Sequence, residues 1–243
     1  MDRILTLTLG LLLVLLIATV SVFSYQAYVD RAYRESLAGT YSYTCTIATD
    51  SPLTNVTFFL PVPSDPSGNS PVVAGFSYGS ISGIPRGWDV TLYDTGKATM
   101  VKITTPAITP PPGPGPYTIR MSANASSKTA IDTRDPINAS ALFHPLGGLI
   151  QVPCIPGRNA GNPVCYDYTT QLYADYDTVD DALVTIHTTI DGRNTWTIFE
   201  LGSNEYTSEA GVQLIGAQQG WSAMSGTLTD HIGSYDTPRL TYG

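Results

Sequence analysis

Several groups of residues have the types and spacing that chemistry would need. Asp175, Asp177, Asp180 and Asp181 place four carboxylates within seven residues, around Tyr176. Hard cations take several oxygen ligands from a flexible loop. The run lacks the central glycine and the closing bidentate glutamate of an EF-hand. The readings open to it are a solvated turn between strands and a weak Ca²⁺ site. Glu200, Glu205 and Glu209 could supply a carboxylate pair for glycoside hydrolysis, but nothing in the sequence sets them across a cleft. Gly75-Phe76-Ser77-Tyr78-Gly79 matches the G-x-S-x-G pattern of a nucleophile elbow, which needs a strand before the serine and a helix after it. Gly79, Gly83, Pro85 and Gly87 follow instead, so a glycine-rich turn is expected. His144, His187 and His231 and the three cysteines lack the ligand spacing of a zinc site. No catalytic residue is assigned, and no cofactor is expected beyond the weak Ca²⁺.

Cys154 and Cys165 flank a turn-rich segment containing Pro156, Gly157, Gly161 and Pro163. They are the natural disulfide pair of an exported protein. Cys45 is left over on the apolar side of an alternating run, where a buried thiol is inert. Asn55-Val56-Thr57, Asn124-Ala125-Ser126 and Asn138-Ala139-Ser140 are N-x-S/T acceptors without proline at x. Asn55 and Asn124 both fall on the solvent side of their alternating runs, as a glycosylated asparagine must.

The elements that must carry these residues divide into two kinds. Residues 1–3 form a short tail. Ile4 to Phe23 is an uncharged, leucine-rich run of 20 residues, long enough as a helix to cross about 30 Å of hydrocarbon. Its exit, Val20 to Tyr25, offers no small-x-small cleavage site, so a retained signal anchor is expected over a cleaved signal peptide. Tyr25 suits an interfacial aromatic anchor. Tyr25, Val29, Ala32, Tyr33 and Leu37 keep the helical spacing, which predicts a helical stalk over 24–38 with Gly39 as its C-cap. Arg3 on one side and Arg31 and Arg34 on the other leave the positive-inside rule undecided. The short tail, the cysteine pair and the sequons place the C-terminal part outside, on a single-pass cell-membrane protein.

After Gly39 the period becomes two. Tyr41, Tyr43, Cys45 and Ile47 alternate with Ser42, Thr44 and Thr46, Val101 and Ile103 with Lys102 and Thr104, Tyr117, Ile119 and Met121 with Thr118, Arg120 and Ser122, and Val184, Ile186 and Ile190 with Thr185, His187 and Thr189. Val56, Phe58 and Leu60 alternate with Asn55, Thr57 and Phe59. Asp65 to Asn69, Asp94-Thr95-Gly96, Asp191-Gly192 and Gly202-Ser203-Asn204 read as turns. Pro106 to Pro116 holds six prolines and two glycines. It reads as a long hairpin loop. Residues 39–243 are therefore expected to be all-β, an antiparallel β-sandwich, one large or two small with a division near 126–138.

Charged residues are only 13% of the 243, yet 42% are hydrophobic and 15 are tyrosine, so the chain is not disordered. The net charge of −8, from 12 basic and 20 acidic residues, disfavours nucleic acid as a partner. The most distinctive stretch runs from Gly192-Arg193-Asn194-Thr195-Trp196-Thr197-Ile198-Phe199 through Asn204-Glu205-Tyr206 to Gly220-Trp221-Ser222 and Ser225-Gly226-Thr227-Leu228. Together with Val152-Pro153-Cys154 it resembles a pattern of uncharacterised exported proteins of archaea. That resemblance, in the C-terminal third, implies an N-terminally anchored β-protein and no catalytic residue. Trp196 and Trp221 are expected to pack in the core. The function expected is that of a non-enzymatic, membrane-anchored surface protein, structural or adhesive. Its partners would be the bilayer through 4–23 and other surface proteins or glycans. The alternatives are a carbohydrate-binding module, favoured by aromatics lining one exposed groove, and an exported hydrolase, favoured by a carboxylate pair or Ser–His contact in a deep cleft.

Overall fold

The apolar N-terminal run does not stop at the point where its sequence turns polar. In the computed structural model, which describes residues 2–77, 81–95, 98–127, 129–155 and 161–235, one helix, α1, runs Asp2–Ser36. Residues 4–23 meet no protein, and their side chains are exposed throughout. The last turns differ. Val29 and Tyr33 are buried, and burying each such side chain contributes about 1.5–3 kcal/mol. Segment 24–38 is thus helical as far as Ser36 and docked on the β-body at its end. Gly39 does not cap it. It already lies in a strand, where an added Cβ would come within 3.0 Å of the Ser127 Cβ, so close strand approach explains the glycine.

The body consists of β1 (Ala38–Thr49), β2 (Leu53–Pro61), a five-residue helix α2 (Val73–Ser77), β3 (Asp89–Asp94), β4 (Thr99–Ile108), β5 (Tyr117–Ser127), a single turn α3 (Pro136–Ala139), β6 (Ile150–Val152), β7 (Gly161–Asp177), β8 (Leu183–Thr197), β9 (Leu201–Ile215) and β10 (Gln218–Gly233). All pairings are antiparallel, in the order β3-β4-β2-β7-β10-β9-β8-β1-β5, with β6 beside β7. The expected all-β antiparallel fold is present, and its two layers are one sheet curled on itself. One wall is β3-β4-β2-β7-β10 and the other is β9-β8-β1-β5. Between them the β9–β10 ladder pairs only Ser225–Gly233 with Gly211–Asn204, and at the end away from α1 these strands part. The phenol of Tyr43 on β1 donates to the Pro61 carbonyl of β2 at 3.4 Å, although five strand steps separate β1 from β2 along the sheet.

Three connections cross between walls at the end away from α1: 50–52, 109–116 and 178–182. The proline-rich segment is therefore a loop, but it joins non-neighbouring strands and makes no hairpin. Its first proline, Pro106, sits inside β4 opposite Asn55, where the β2–β4 ladder skips one pair between Thr54/Ala107 and Val56/Thr105 without changing register, while β2 bulges on its β7 side between Thr54 and Thr57. A bulge is where a strand tolerates a residue without an N–H. A two-residue bridge, Ser82 to Ser122, and α2 lie against the β5 edge and blunt it.

The core draws one cluster from both walls, including Tyr43, Phe58, Leu60, Ile103, Phe143, Leu172, Ile186 and Tyr206. The inward residues expected from alternation in 41–47, 56–60, 101–103 and 184–190 are buried, apart from half-buried Tyr41. Two expected turns are strand interior instead. Asp191-Gly192 lies within β8 and Gly202-Ser203-Asn204 within β9, and the hairpin turns at 198–200. The register explains why. Gly192 faces Tyr206, Asn194 faces Asn204 and Trp196 faces Gly202. Each glycine lies under the opposing aromatic ring, where any Cβ would collide with it. The paired asparagines are bonded to each other at 2.9 Å. Asn194 also exchanges two hydrogen bonds with the Ile131 backbone, at 2.9 and 2.7 Å, fastening segment 129–135 over the hairpin.

Candidate ligand-binding face

A two-residue period that buries Phe58 must turn Phe59 outward. On the outer side of the β3-β4-β2-β7-β10 wall Phe59 has company. Its ring lies 5.0 Å from Tyr93 of β3 and 5.5 Å from Tyr173 of β7, and Tyr173 lies 5.6 Å from Trp221 of β10. The register makes this row, since Tyr173 pairs with both Phe59 and Trp221. Lys102 of β4, paired with Phe59, holds its ammonium 5.8 Å from the Phe59 ring. The rings meet edge to face, worth about 0.5–1.5 kcal/mol per pair beyond burial. The inner two are half-buried, while Tyr93 and Trp221 remain 48% and 51% exposed. The Tyr173 phenol lies above its ordinary range, first from desolvation and then from the charge of Asp175.

Trp221 also borders a cleft of about 750 Å³ between this wall and the segment 144–146. Its polar groups are Gln171, His144, Thr99, Thr95 and Thr170, and none of its described lining side chains is a carboxylate. Thr170 donates to the His144 carbonyl at 2.9 Å and the Leu146 N–H to the Thr169 carbonyl at 2.8 Å, which pins the outer wall of the cleft to β7. A cleft of mixed lining, apolar side chains beside amide, imidazole and hydroxyl groups, suits a neutral polar ligand with apolar faces.

The residues singled out from sequence fall elsewhere. Cys154 and Cys165 form a disulfide, and Cys45 is a free, buried thiol that burial pushes up to about 12. Segment 156–160, within the disulfide loop, lies outside the described residues. Asn55, Asn124 and Asn138 are all exposed. Asn55 donates to Asp177 at 2.9 Å and Asn138 to both oxygens of Asp135. The acidic run does not converge. Asp175 and Asp177 sit on the outer side of β7, Asp180 and Asp181 in the following turn, and Tyr176 turns inward against Phe58. Among the described residues, no three His, Cys, Asp or Glu side chains are grouped to hold a metal ion.

Glu205 and Glu209 lie on the other wall, paired with Arg193 at 3.6 Å and His187 at 3.5 Å, and Glu200 is in the hairpin turn. Glu205 and Glu209 lie four residues apart along the same strand, β9, rather than opposing each other as a glycoside-hydrolysing pair does. In the G-x-S-x-G segment the helix α2 precedes Ser77, the reverse of an elbow, and Tyr78 and Gly79 lie outside the described residues. His231 bonds Asp230 at 2.7 Å, but no hydroxyl or thiol completes a triad among the described hydrogen bonds. Trp196 is buried against Tyr33, whereas Trp221, expected in the core, faces outward.

The alternation around Phe58 marked Phe59 as outward. Tyr93 and Trp221 carried no such mark, because β3 has no buried face and β10 is interrupted by glycines. Compared with known protein families, curated proteins and solved structures, the chain matches none. Fold and site define a strand-rich body with a half-exposed aromatic row on one wall, carried on an apolar helix long enough for a membrane anchor or a signal sequence. Its disulfide points to an oxidising compartment.

Proposed function

We propose that this is a non-enzymatic, single-pass surface protein whose β-body lies outside the cell and binds carbohydrate through the Tyr93–Phe59–Tyr173–Trp221 face and the adjoining cleft. One observation carries the reading: four aromatics from four strands share an outer face and end on an exposed tryptophan beside Gln171, His144 and threonine hydroxyls. Sugar rings present C–H faces to aromatic rings and hydroxyls to amides, and that composition is complementary to them. The expected structural or adhesive role and the carbohydrate-binding alternative merge here, since an anchored glycan binder is an adhesin. The −8 charge keeps nucleic acid off the surface. Asn55, Asn124 and Asn138, all exposed, are acceptors for glycosylation in a host that has the machinery.

The test is a glycan-array screen of the intact protein in detergent micelles, followed by titration of any hit against wild type and Trp221→Ala. Binding should weaken by at least about fivefold, the lower end of the roughly 1–3 kcal/mol scale of one stacked ring, with the melting temperature nearly unchanged. An intact protein that binds no glycan, or a Trp221→Ala variant that binds as wild type does, would remove this reading.

A further inference from the structure

The tip of the β8–β9 hairpin exposes two large apolar side chains, Phe199 in the turn at 65% and Leu201 at the start of β9 at 77%. A loop tip of a water-soluble body has no need of either. Their position gives the reason. The Phe199 ring lies 6.3 Å from that of Tyr25 and 6.0 Å from that of Tyr28 on α1. Tyr25 is two residues past Phe23, where the apolar run ends. At about 1.5 Å per residue, the tip therefore lies about 3–8 Å beyond that end, along the helix axis. The hairpin is held there. Tyr33 packs on Trp196 at 5.5 Å, and the Thr197 N–H donates to the Ser36 hydroxyl at 2.9 Å. Phe23, Tyr25, Tyr28, Phe199 and Leu201 make one exposed collar, aromatic except for Leu201. Aromatic rings at this level, with charges close by, are characteristic of the membrane–water interface. Glu200 in the same turn and the Arg31–Glu35 and Arg34–Asp30 pairs supply those charges.

We infer that the β8–β9 tip inserts Phe199 and Leu201 into the interfacial layer of the bilayer that α1 crosses, so the body is seated on phospholipid rather than raised on a stalk. The inference rests on the reading that residues 4–23 span a membrane. Continuity of the collar with that span is what selects lipid as its occupant.

The experiment places the full chain in phosphatidylcholine vesicles with one fluorescent label at Phe199→Cys, Ile215→Cys or Leu13→Cys. Cys45 is buried and takes no label in the folded protein. Ile215, at the opposite end of β9 and 68% exposed, is the apolar control. Nitroxide lipids of shallow and deep position act as quenchers. Position 199 should be quenched at least about twofold more than 215 by the shallow nitroxide, as for a group buried in the headgroup–acyl boundary. Position 13 should respond to the deep one. Quenching at 13 with 199 no different from 215 would overturn the seat and leave the anchor standing. Absence of quenching at 13 would remove the anchor and the seat together. Self-quenching between labels at 199 without lipid quenching would assign the collar to a second copy and overturn the inference.

Discussion

On the β8–β9 wall, Trp196 and Tyr206 point inward and each lies over a cross-strand glycine. On the β2–β7–β10 wall, Phe59, Tyr173 and Trp221 point outward, although that wall also has an inward ring over a glycine, Tyr168 on Gly226. The outer side of the first wall carries the Arg193–Glu205 ion pair and a His187–Glu209 contact in place of rings. Solvent-exposed pairs of this kind contribute about 0.2–1 kcal/mol each and define no binding site. An aromatic ring over a glycine is consumed by folding. An aromatic row outside the core is left over, so its free energy is available to a partner.

That contrast can be broken most sharply at Tyr206, whose buried hydroxyl donates to the Ala141 carbonyl at 2.6 Å. Tyr206→Ala should cost about 3–5 kcal/mol, as aromatic truncations in cores do. Tyr93→Ala on the outer row, which loses one edge-to-face pair at a half-exposed position, should cost no more than about 1.5 kcal/mol. Urea unfolding of the two variants measures both, and comparable losses would show that the outer row is structural. The disulfide, between Cys165 of β7 and Cys154 just after β6, comes next. Its ten-residue loop is worth about 2–3 kcal/mol on the chain-entropy model. Cys154→Ser with Cys165→Ser should lower the unfolding free energy by that amount and leave the Trp221 emission unchanged.

The smallest effect belongs to Asp191 on the ion-pair wall. Burial, with a further contribution from Glu209, raises its carboxyl above the ordinary range, and the Thr207 hydroxyl at 2.7 Å opposes the rise. The folded state therefore keeps this proton to higher pH than the unfolded chain does. Stability from this group falls as pH rises from about 3.9, the unfolded value, through the raised folded one. Asp191→Asn should flatten that decline in melting temperature between mildly acidic and neutral pH. An unchanged profile would show that Asp191 titrates as an exposed carboxylate.

Much of the sheet was legible because half-burial writes itself into alternation. Tyr43-Cys45-Ile47, Val56-Phe58-Leu60 and Val184-Ile186-Ile190 are buried where their period put them. What alternation could not supply was the partner of each strand. Gly192 and Gly202 looked like turn residues because a glycine has the same letter whether it bends the chain or makes room for a ring fourteen or six residues away along it. Pro106 to Pro116 looked like a hairpin because pairing β4 with β2 and β5 with β1 is a long-range choice that local residues do not encode. The site divides in the same way. Phe59 was marked by Phe58, whereas Trp221 becomes outward only through its register with Tyr173.

Between Ser36, the last residue of α1, and Ala38, the first of β1, there is only Leu37. With Ser36 tied to the Thr197 backbone from its side chain, the junction has no slack. A load applied at Trp221 would cross the sheet through its hydrogen bonds and reach α1 without first straightening a linker. The joint acts as a lever: a sideways pull is delivered as torque that tilts the helix, and the aromatic wall keeps a fixed compass bearing about the helix axis.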